Sequence, residues 1–400
     1  MVGGCISTPP TPFLLPVFLR GRPHPDQQPH NRTRLRYHYT MKVAIVGAGQ
    51  VGKTALFGAV TRQPVRPGMG GYGEDNQIAV VEVPDRRVDA LIEMYRPRKE
   101  ARASVEFVDG APLPPGTRGF GPRFLQEIRQ ADALVGVVRA FENPSVPDPE
   151  GGLDPLRDYR TLEAELILSD LDLVEKRLER LEKQDRAKPK SAQGGLEKEA
   201  LERLRAHLEE ELPLTSLELR PEEDEAIRHI EFVSRKPMVI VVNIGEGDVG
   251  TSEARHDPLG EWAARSRTPL LEICAAVEME VSQLGPEEEA SFLEAMGISE
   301  SGRYRLLRTV YELLGLQSFF TVGEDEVRAW TIRKGDNAIT AAGKIHSDLA
   351  RGFIRAEVIP YEALMAAGGQ KAAREQGRFR LETKTYVVQD GDILNIRFSV

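Results

Sequence analysis

Apolar and polar positions fall into three successive textures along the chain. From Lys42 the stretch KVAIVGAGQVGKTALFGAV passes from an unbroken apolar run through glycines to an amphipathic segment, which predicts strand, turn and helix. IAVVEVPD, ASVEFVDG and ADALVGVVRAF predict three further strands, and MVIVVN (238–243) and PLLEICAA (269–276) complete a series that alternates with helical segments. That alternation predicts an α/β fold, a doubly wound sheet that takes its ligands at the carboxyl ends of its strands. In the second texture, between about Leu156 and Leu212, TLEAELILSDLDLVEKRLERLEKQ and LEKEALERLRAHLEEEL carry Leu and Ile at three- and four-residue spacing amid dense charge. The polar linker DRAKPKSAQGG separates them, so two long helices should fold back as a helical hairpin or antiparallel coiled coil.

EEEASFLEAMGI and YRLLRTVYELLGL read as helices, and the third texture begins at Gln317. SFFTVGEDEVRAWTIRKG predicts strand, turn and strand; NAITAAGKIHSDLARGF a short helix; IRAEVI and DGDILNIRFSV closing strands. Mixed strands with one or two helices predict a small α+β domain of the β-grasp kind. The expected organisation is an α/β domain over 41–152 and 213–300, an inserted hairpin over 153–212, a connecting helix over 301–316 and a C-terminal domain over 317–400.

Composition changes this picture only at its edges. A chain of 400 residues is long enough to bury a core in each domain without metal or disulfide staples. Two cysteines, Cys5 and Cys274, make no framework and point to a reducing compartment, so a cytoplasmic location is expected. A net charge of -9 argues against coating nucleic acid by charge alone, while leaving room for a local basic face. No run approaches the roughly 20 apolar residues of a spanning helix, so no membrane partner is expected. Residues 1–40 are rich in Pro, Arg and His with a single acidic residue, Asp26. Their apolar run FLLPVFL is broken by Pro16 and follows no positive segment, which is a poor secretory signal. Met41 opens the first strand directly, so the leader is expected to be disordered or untranslated.

The candidate chemistry lies in GAGQVGKT, which matches G-x-x-x-x-G-K-[ST] at Gly47, Gly52, Lys53 and Thr54, between a strand and a helix as the motif requires. Such glycines let backbone N–H groups, those of Gln50, Val51 and Ala55 among them, converge on phosphates at a helix N-terminus. Lys53 is expected to bridge the β- and γ-phosphates, Thr54 to hold Mg²⁺ directly, and Asp109, at the end of its strand, to meet the metal through water.

With these residues in place the chain resembles the YchF (Obg-like) ATPase family of P-loop proteins, across essentially everything after Met41. The residues that carry the likeness are VGKT, VEVPDRRVDAL, VEFVDGA, LQEIRQADALVGVVRAFEN, ELILSDLDLVEKRLERLEK, VVNIGE, EVRAWTIRKG, AAGKIHSDLARGFIRAEVI and DGDILNIRF. The last three resemble a C-terminal TGS domain. The resemblance implies ATP as ligand, slow hydrolysis with Mg²⁺, and a ribosome or RNA contact through the TGS domain and hairpin.

The base-side motif N-K-x-D of related GTPases here reads Asn243, Ile244, Gly245, Glu246. Glu246 is one methylene longer than Asp, so its carboxylate cannot take the same place beneath guanine, and Ile244 offers an apolar cover. An Asn amide such as that of Asn243 complements the adenine amino group and N7. ATP is therefore expected, with a purine-indifferent or GTP-binding site as the alternative. In the hydrolytic region the water-orienting Gln of related GTPases falls on Leu113, as the family's apolar residue there implies. Two departures go further: Pro112 replaces the glycine whose N–H meets the γ-phosphate, and Gly73 stands where the family has a metal-binding Thr. Both strike elements that sense the γ-phosphate, with Thr61 or Tyr72 as conceivable substitutes. Two functions therefore stay open, a slow ATPase and a non-hydrolysing nucleotide-binding adaptor.

His346 and Asp348 lack a second ligand at metal spacing and read as structural. Cys274 has no paired His, and it and Ala276 are expected to give backbone contacts at most. RLLRTVYELL, EVRAWTIRKG and AREQGRFRLETK interleave basic and aromatic residues, which suits either RNA or a solvated face.

Overall fold

The computed structural model describes residues 41–63, 77–109, 120–144, 152–187, 192–249 and 258–399. The leader 1–40, expected to be disordered or untranslated, lies outside them, as do Tyr72, Gly73, Pro112 and Leu113. The chain opens with β1 (Met41–Val46) and α1 (Lys53–Thr61), then β2 (Gln77–Glu82), α2 (Arg86–Tyr95), β3 (Lys99–Ala101), β4 (Ser104–Asp109), α3 (Pro122–Gln130) and β5 (Ala133–Ala140). The long helices α4 (Pro155–Ala187) and α5 (Ala192–Glu209) follow, then α6 (Pro221–Ile227), β6 (Met238–Ile244), α7 (Pro258–Ser266), β7 (Leu270–Ile273) and α8 (Ala275–Val281). Six strands join in the order β2-β4-β1-β5-β6-β7. All neighbours are parallel except β2, which runs antiparallel to β4. Strands β1 and β5 are buried on both faces, which is why they read as continuous apolar runs rather than alternating ones.

The hairpin obeys its heptad pattern. Ile167, Leu171, Val174, Leu178 and Leu181 of α4 succeed one another at four and three residues and pack against Ala200, Leu201, Leu204 and Leu208 of α5. With 33 residues, α4 runs about 50 Å. Its base is fixed by Asp170, which is fully buried and accepts from Val233 N (2.9 Å), Ser234 N (2.7 Å) and Ser234 Oγ (2.7 Å).

Helices α9 (Pro286–Ala295) and α10 (Gly302–Leu313) lead to the second sheet, built from β8 (Leu316–Thr321), β9 (Glu326–Arg333), then, after α11 (Ala338–Ile345) and α12 (Ser347–Arg351), β10 (Phe353–Pro360). Helices α13 (Tyr361–Ala367) and α14 (Gln370–Glu375) precede the closing strands β11 (Arg380–Glu382) and β12 (Asp392–Phe398). The sheet order is β11-β10-β12-β8-β9-β3. Its sixth strand, β3, comes from the first domain and pairs parallel with β9, Lys99 opposite Glu326 and Ala101 opposite Arg328. Nothing in the apolar pattern of Lys99–Ala101 signals that crossing. Val88 and Leu91 of α2 share one buried cluster with Phe320, Val327 and Ile393 of the second sheet. The single helix expected over NAITAAGKIHSDLARGF is two, because His346 is extended (φ -163°), ending α11 and capping α12 by accepting from Asp348 N (3.1 Å). No helix among the described residues is long and apolar enough to cross a membrane.

Candidate nucleotide-binding site

Residues 47–52 turn between β1 and α1 at the carboxyl end of the first sheet. Two close approaches fix the glycines. A Cβ on Gly47 (φ +152°) would sit 2.5 Å from the carbonyl oxygen of Val137 in β5, and one on Gly52 (φ +93°) 2.1 Å from Asn243 Nδ2. A side chain at Gly47 would therefore press on the β5 backbone, and one at Gly52 would displace the Asn243 amide. Gln50 is exposed in a left-handed conformation (φ +61°), and Val51 is buried. Thr54 and Ala55, in the first turn of α1, are half-buried.

Lys53 is only 6 % exposed, and its Nζ donates to the carbonyls of Gly47 (3.1 Å) and Ala48 (2.6 Å). Burial pulls its pKa down to about 8, partly offset by the nearby Asp109 carboxylate. An ammonium held on two carbonyls of the loop can exchange them for phosphate oxygens. Asp109 is itself 8 % exposed, and burial pushes its pKa up against the opposing pull of a Thr54 hydrogen bond and of Lys53. Its Oδ1 is buried without a hydrogen-bond partner among the described residues. An unpartnered carboxylate oxygen beside a hydroxyl is a donor set that suits a hard divalent cation such as Mg²⁺. Thr54 and Asp109 therefore fit the metal expected of them. Thr61 does not reach this set, since its hydroxyl donates to Phe57 O (2.8 Å) within α1.

On the base side Asn243 does more than its sequence suggested. It is 5 % exposed, its Nδ2 donates to Val51 O (2.9 Å), and its Oδ1 accepts from Ala275 N (2.9 Å). The amide thus staples the phosphate loop, the end of β6 and the start of α8 together, with one N–H and one lone pair in reserve. Ile244 requires a correction. Strand alternation places it on the face of Ile240 and Val242, in a cluster with Val138, Tyr159 and Leu259, and at 7 % exposure it belongs to the core rather than covering a base. Glu246 is exposed and begins a single 3₁₀ turn, Glu246–Asp248.

Cys274 is buried with its thiol pKa raised by desolvation, which opposes nucleophilic use. The backbone contact expected from this loop comes from Ala275. No group of three or more metal-ligating side chains occurs among the described residues. Much of the basic character of the C-terminal segments is spent internally. Arg303 donates to Val60 O (2.8 Å), Arg308 pairs with Glu300 (2.7 Å), Arg374 with Glu357 (3.0 Å), and Arg328 lies 4.3 Å over the Trp330 ring.

Three comparisons place this geometry among known proteins. The family model YchF-GTPase_C, described as a protein of unknown function, matches residues 316–399. A Bacillus subtilis (strain 168) protein named ribosome-binding ATPase YchF is 40% identical over 366 residues, covering 90% of this chain and 100% of its own length. The Escherichia coli O157:H7 protein of the same name is 38% identical over 363 residues, covering 90% and 99%. A solved structure of the Schizosaccharomyces pombe YchF GTPase superposes with a TM-score of 0.78 at 30% identity, covering 90% of this chain and 98% of that one.

Proposed function

The chain belongs to the YchF family, and from that premise we propose that it binds a purine nucleoside triphosphate with Mg²⁺, prefers ATP, hydrolyses it slowly and acts as a nucleotide-gated factor on the ribosome or its RNA. The observation that carries this reading is the pairing of Lys53, parked on two carbonyls, with Asp109, whose Oδ1 has no partner among the described residues. Lys53 would move its ammonium from the carbonyls to the phosphates, and the N–H groups at the start of α1 would hold the same phosphates. Thr54 and Asp109 would hold Mg²⁺, which supplies charge neutralisation at the phosphates when bound. Asn243 keeps the base turn and phosphate loop in register, and its free N–H and lone pair match the adenine amino group and N7. Glu246, longer than the Asp of guanine sites, supports the ATP preference. The relatives' names, ribosome-binding in Bacillus subtilis and Escherichia coli, support the ribosome as partner.

Competition against a fluorescent adenine nucleotide with Mg²⁺ present tests the reading. ATP should displace the probe at concentrations at least about tenfold below GTP, as expected of sites that read a hydrogen-bonding group. Equal displacement would remove the ATP preference, and failure of the probe to bind would remove the site. Turnover is a separate question, because Pro112 and Gly73 motivate the second reading, a non-hydrolysing adaptor. Mg²⁺-dependent turnover that Lys53→Ala abolishes supports the enzyme, whereas tight binding without turnover supports the adaptor.

A further inference from the structure

Strands β2 and β4 are antiparallel neighbours, and the chain between them makes an excursion, residues 83–103, that leaves one domain and enters the other. Its neck is closed by Val83 N donating to Ala103 O (2.7 Å) and by Arg102, which pairs with Asp89 (2.6 Å) and reaches Glu82 (3.8 Å). Its far end is built into the second sheet. There β3 pairs with β9, Arg98 N donates to Glu324 O (3.0 Å), and Tyr95 Oη accepts from Gln370 N (3.1 Å). Arg87 ties the middle, bonding Asp85 (2.8 Å) and Asp390 (2.8 Å) with its guanidinium 5.2 Å over the Phe320 ring. Asp390 in turn accepts from Ser318 N (3.0 Å) at β8. Only two residues separate β3 from β4, and β4 ends on Asp109.

We infer that this excursion couples the C-terminal sheet to the metal-side carboxylate Asp109, so that filling the nucleotide site and seating the C-terminal sheet stabilise one another. The inference rests on the nucleotide reading of the site and adds to it a mechanical output. Close-packed strands transmit displacement rather than absorb it, and the neck and far end leave β4 little freedom of its own. Holding β4 in place lowers the ordering cost that a ligand at Asp109 must meet. By linkage the effect is reciprocal: whatever the clamp does for nucleotide affinity, the nucleotide does for the clamp. Arg87 is the positioning residue of this arrangement, acting on the site through the excursion.

Backbone hydrogen exchange on the full 400-residue chain, with and without Mg²⁺ and ATP and with GTP as a parallel probe, tests it. Nucleotide should slow exchange at 47–54 and also at 98–101 and 326–328. In Arg87→Ala, and in Asp390→Asn should the first variant fail to fold, protection at 47–54 should persist while the change at 98–101 is lost. Affinity for Mg²⁺·ATP should fall about fivefold in the same variants. Protection at 47–54 with no change at 98–101 in the unmodified protein overturns the coupling and spares the nucleotide reading. Absence of protection everywhere overturns both. A variant that keeps the full distant response removes Arg87 from the role.

Discussion

Two buried aspartates divide the labour of this molecule. Asp170, at the base of the hairpin, is fully buried, and both of its oxygens are engaged by Val233 and Ser234. Asp109, at the carboxyl end of β4, is nearly as buried, yet one of its oxygens has no hydrogen-bond partner among the described residues. Burial pushes the pKa of both upward, so the shift does not tell them apart. The unfilled lone pair does: a carboxylate that the fold has satisfied holds structure, and the one left wanting is the one we propose for a ligand.

The comparison can be broken most visibly at Asp170. Asp170→Ala leaves two backbone N–H groups and a hydroxyl buried without acceptors, and should destabilise the protein by about 3 kcal/mol in urea unfolding. Nucleotide affinity of the folded fraction should be unchanged. A loss below about 1 kcal/mol would show that water replaces the carboxylate and that the hairpin is anchored elsewhere.

Lys53 sharpens the contrast through pH. Its pKa in the folded protein lies near 8, below the ordinary 10.5, so the folded chain holds fewer protons than the unfolded chain between those values. The stability cost of the buried ammonium is therefore fully present below about pH 8 and is relieved as pH rises towards 10.5. Bound phosphates favour the charged ammonium, so binding above pH 8 must take up a proton. Nucleotide affinity should hold steady below pH 8 and then fall by up to about tenfold per pH unit. Titration calorimetry in buffers of different ionisation enthalpy would register the proton, and a flat profile to pH 10 would place Lys53 off the phosphates.

The smallest effect belongs to Asp109→Asn, which removes a charge that burial disfavours. Stability without ligand should rise by about 1 kcal/mol, while the Mg²⁺-dependent part of nucleotide affinity disappears. A variant that keeps its Mg²⁺ dependence would take the metal away from Asp109.

The sequence disclosed what is local. Glycine spacing located the turn between β1 and α1, a four-and-three repeat located the hairpin, and Asp109 falls on the last residue of its strand, as the apolar run before it predicted. It concealed what depends on partners far along the chain. β3 is three residues, Lys-Glu-Ala, with no apolar alternation, and only its pairing with β9 makes it a strand. Ile244 could be assigned to the core rather than to a base only once the facing of β6 was known. The two hydrogen bonds of Asn243, one donated to Val51 O and one accepted from Ala275 N, join positions whose proximity no spacing reveals.

The donated strand also sets an order of assembly. Lys99 leaves the ribosome 227 residues before Glu326, its partner. At 5 to 20 residues per second that interval is on the order of 10 to 50 s, during which the first domain carries a strand with nothing to join. The second sheet, when it emerges last, finds its outer edge already made. A chain cut near residue 316 would leave one fragment with an idle strand and the other with the β9 edge uncovered, the kind of edge that recruits neighbours into aggregates. The two sheets are therefore not interchangeable cassettes, and a graft of the C-terminal domain onto another protein must bring residues 98–103 with it.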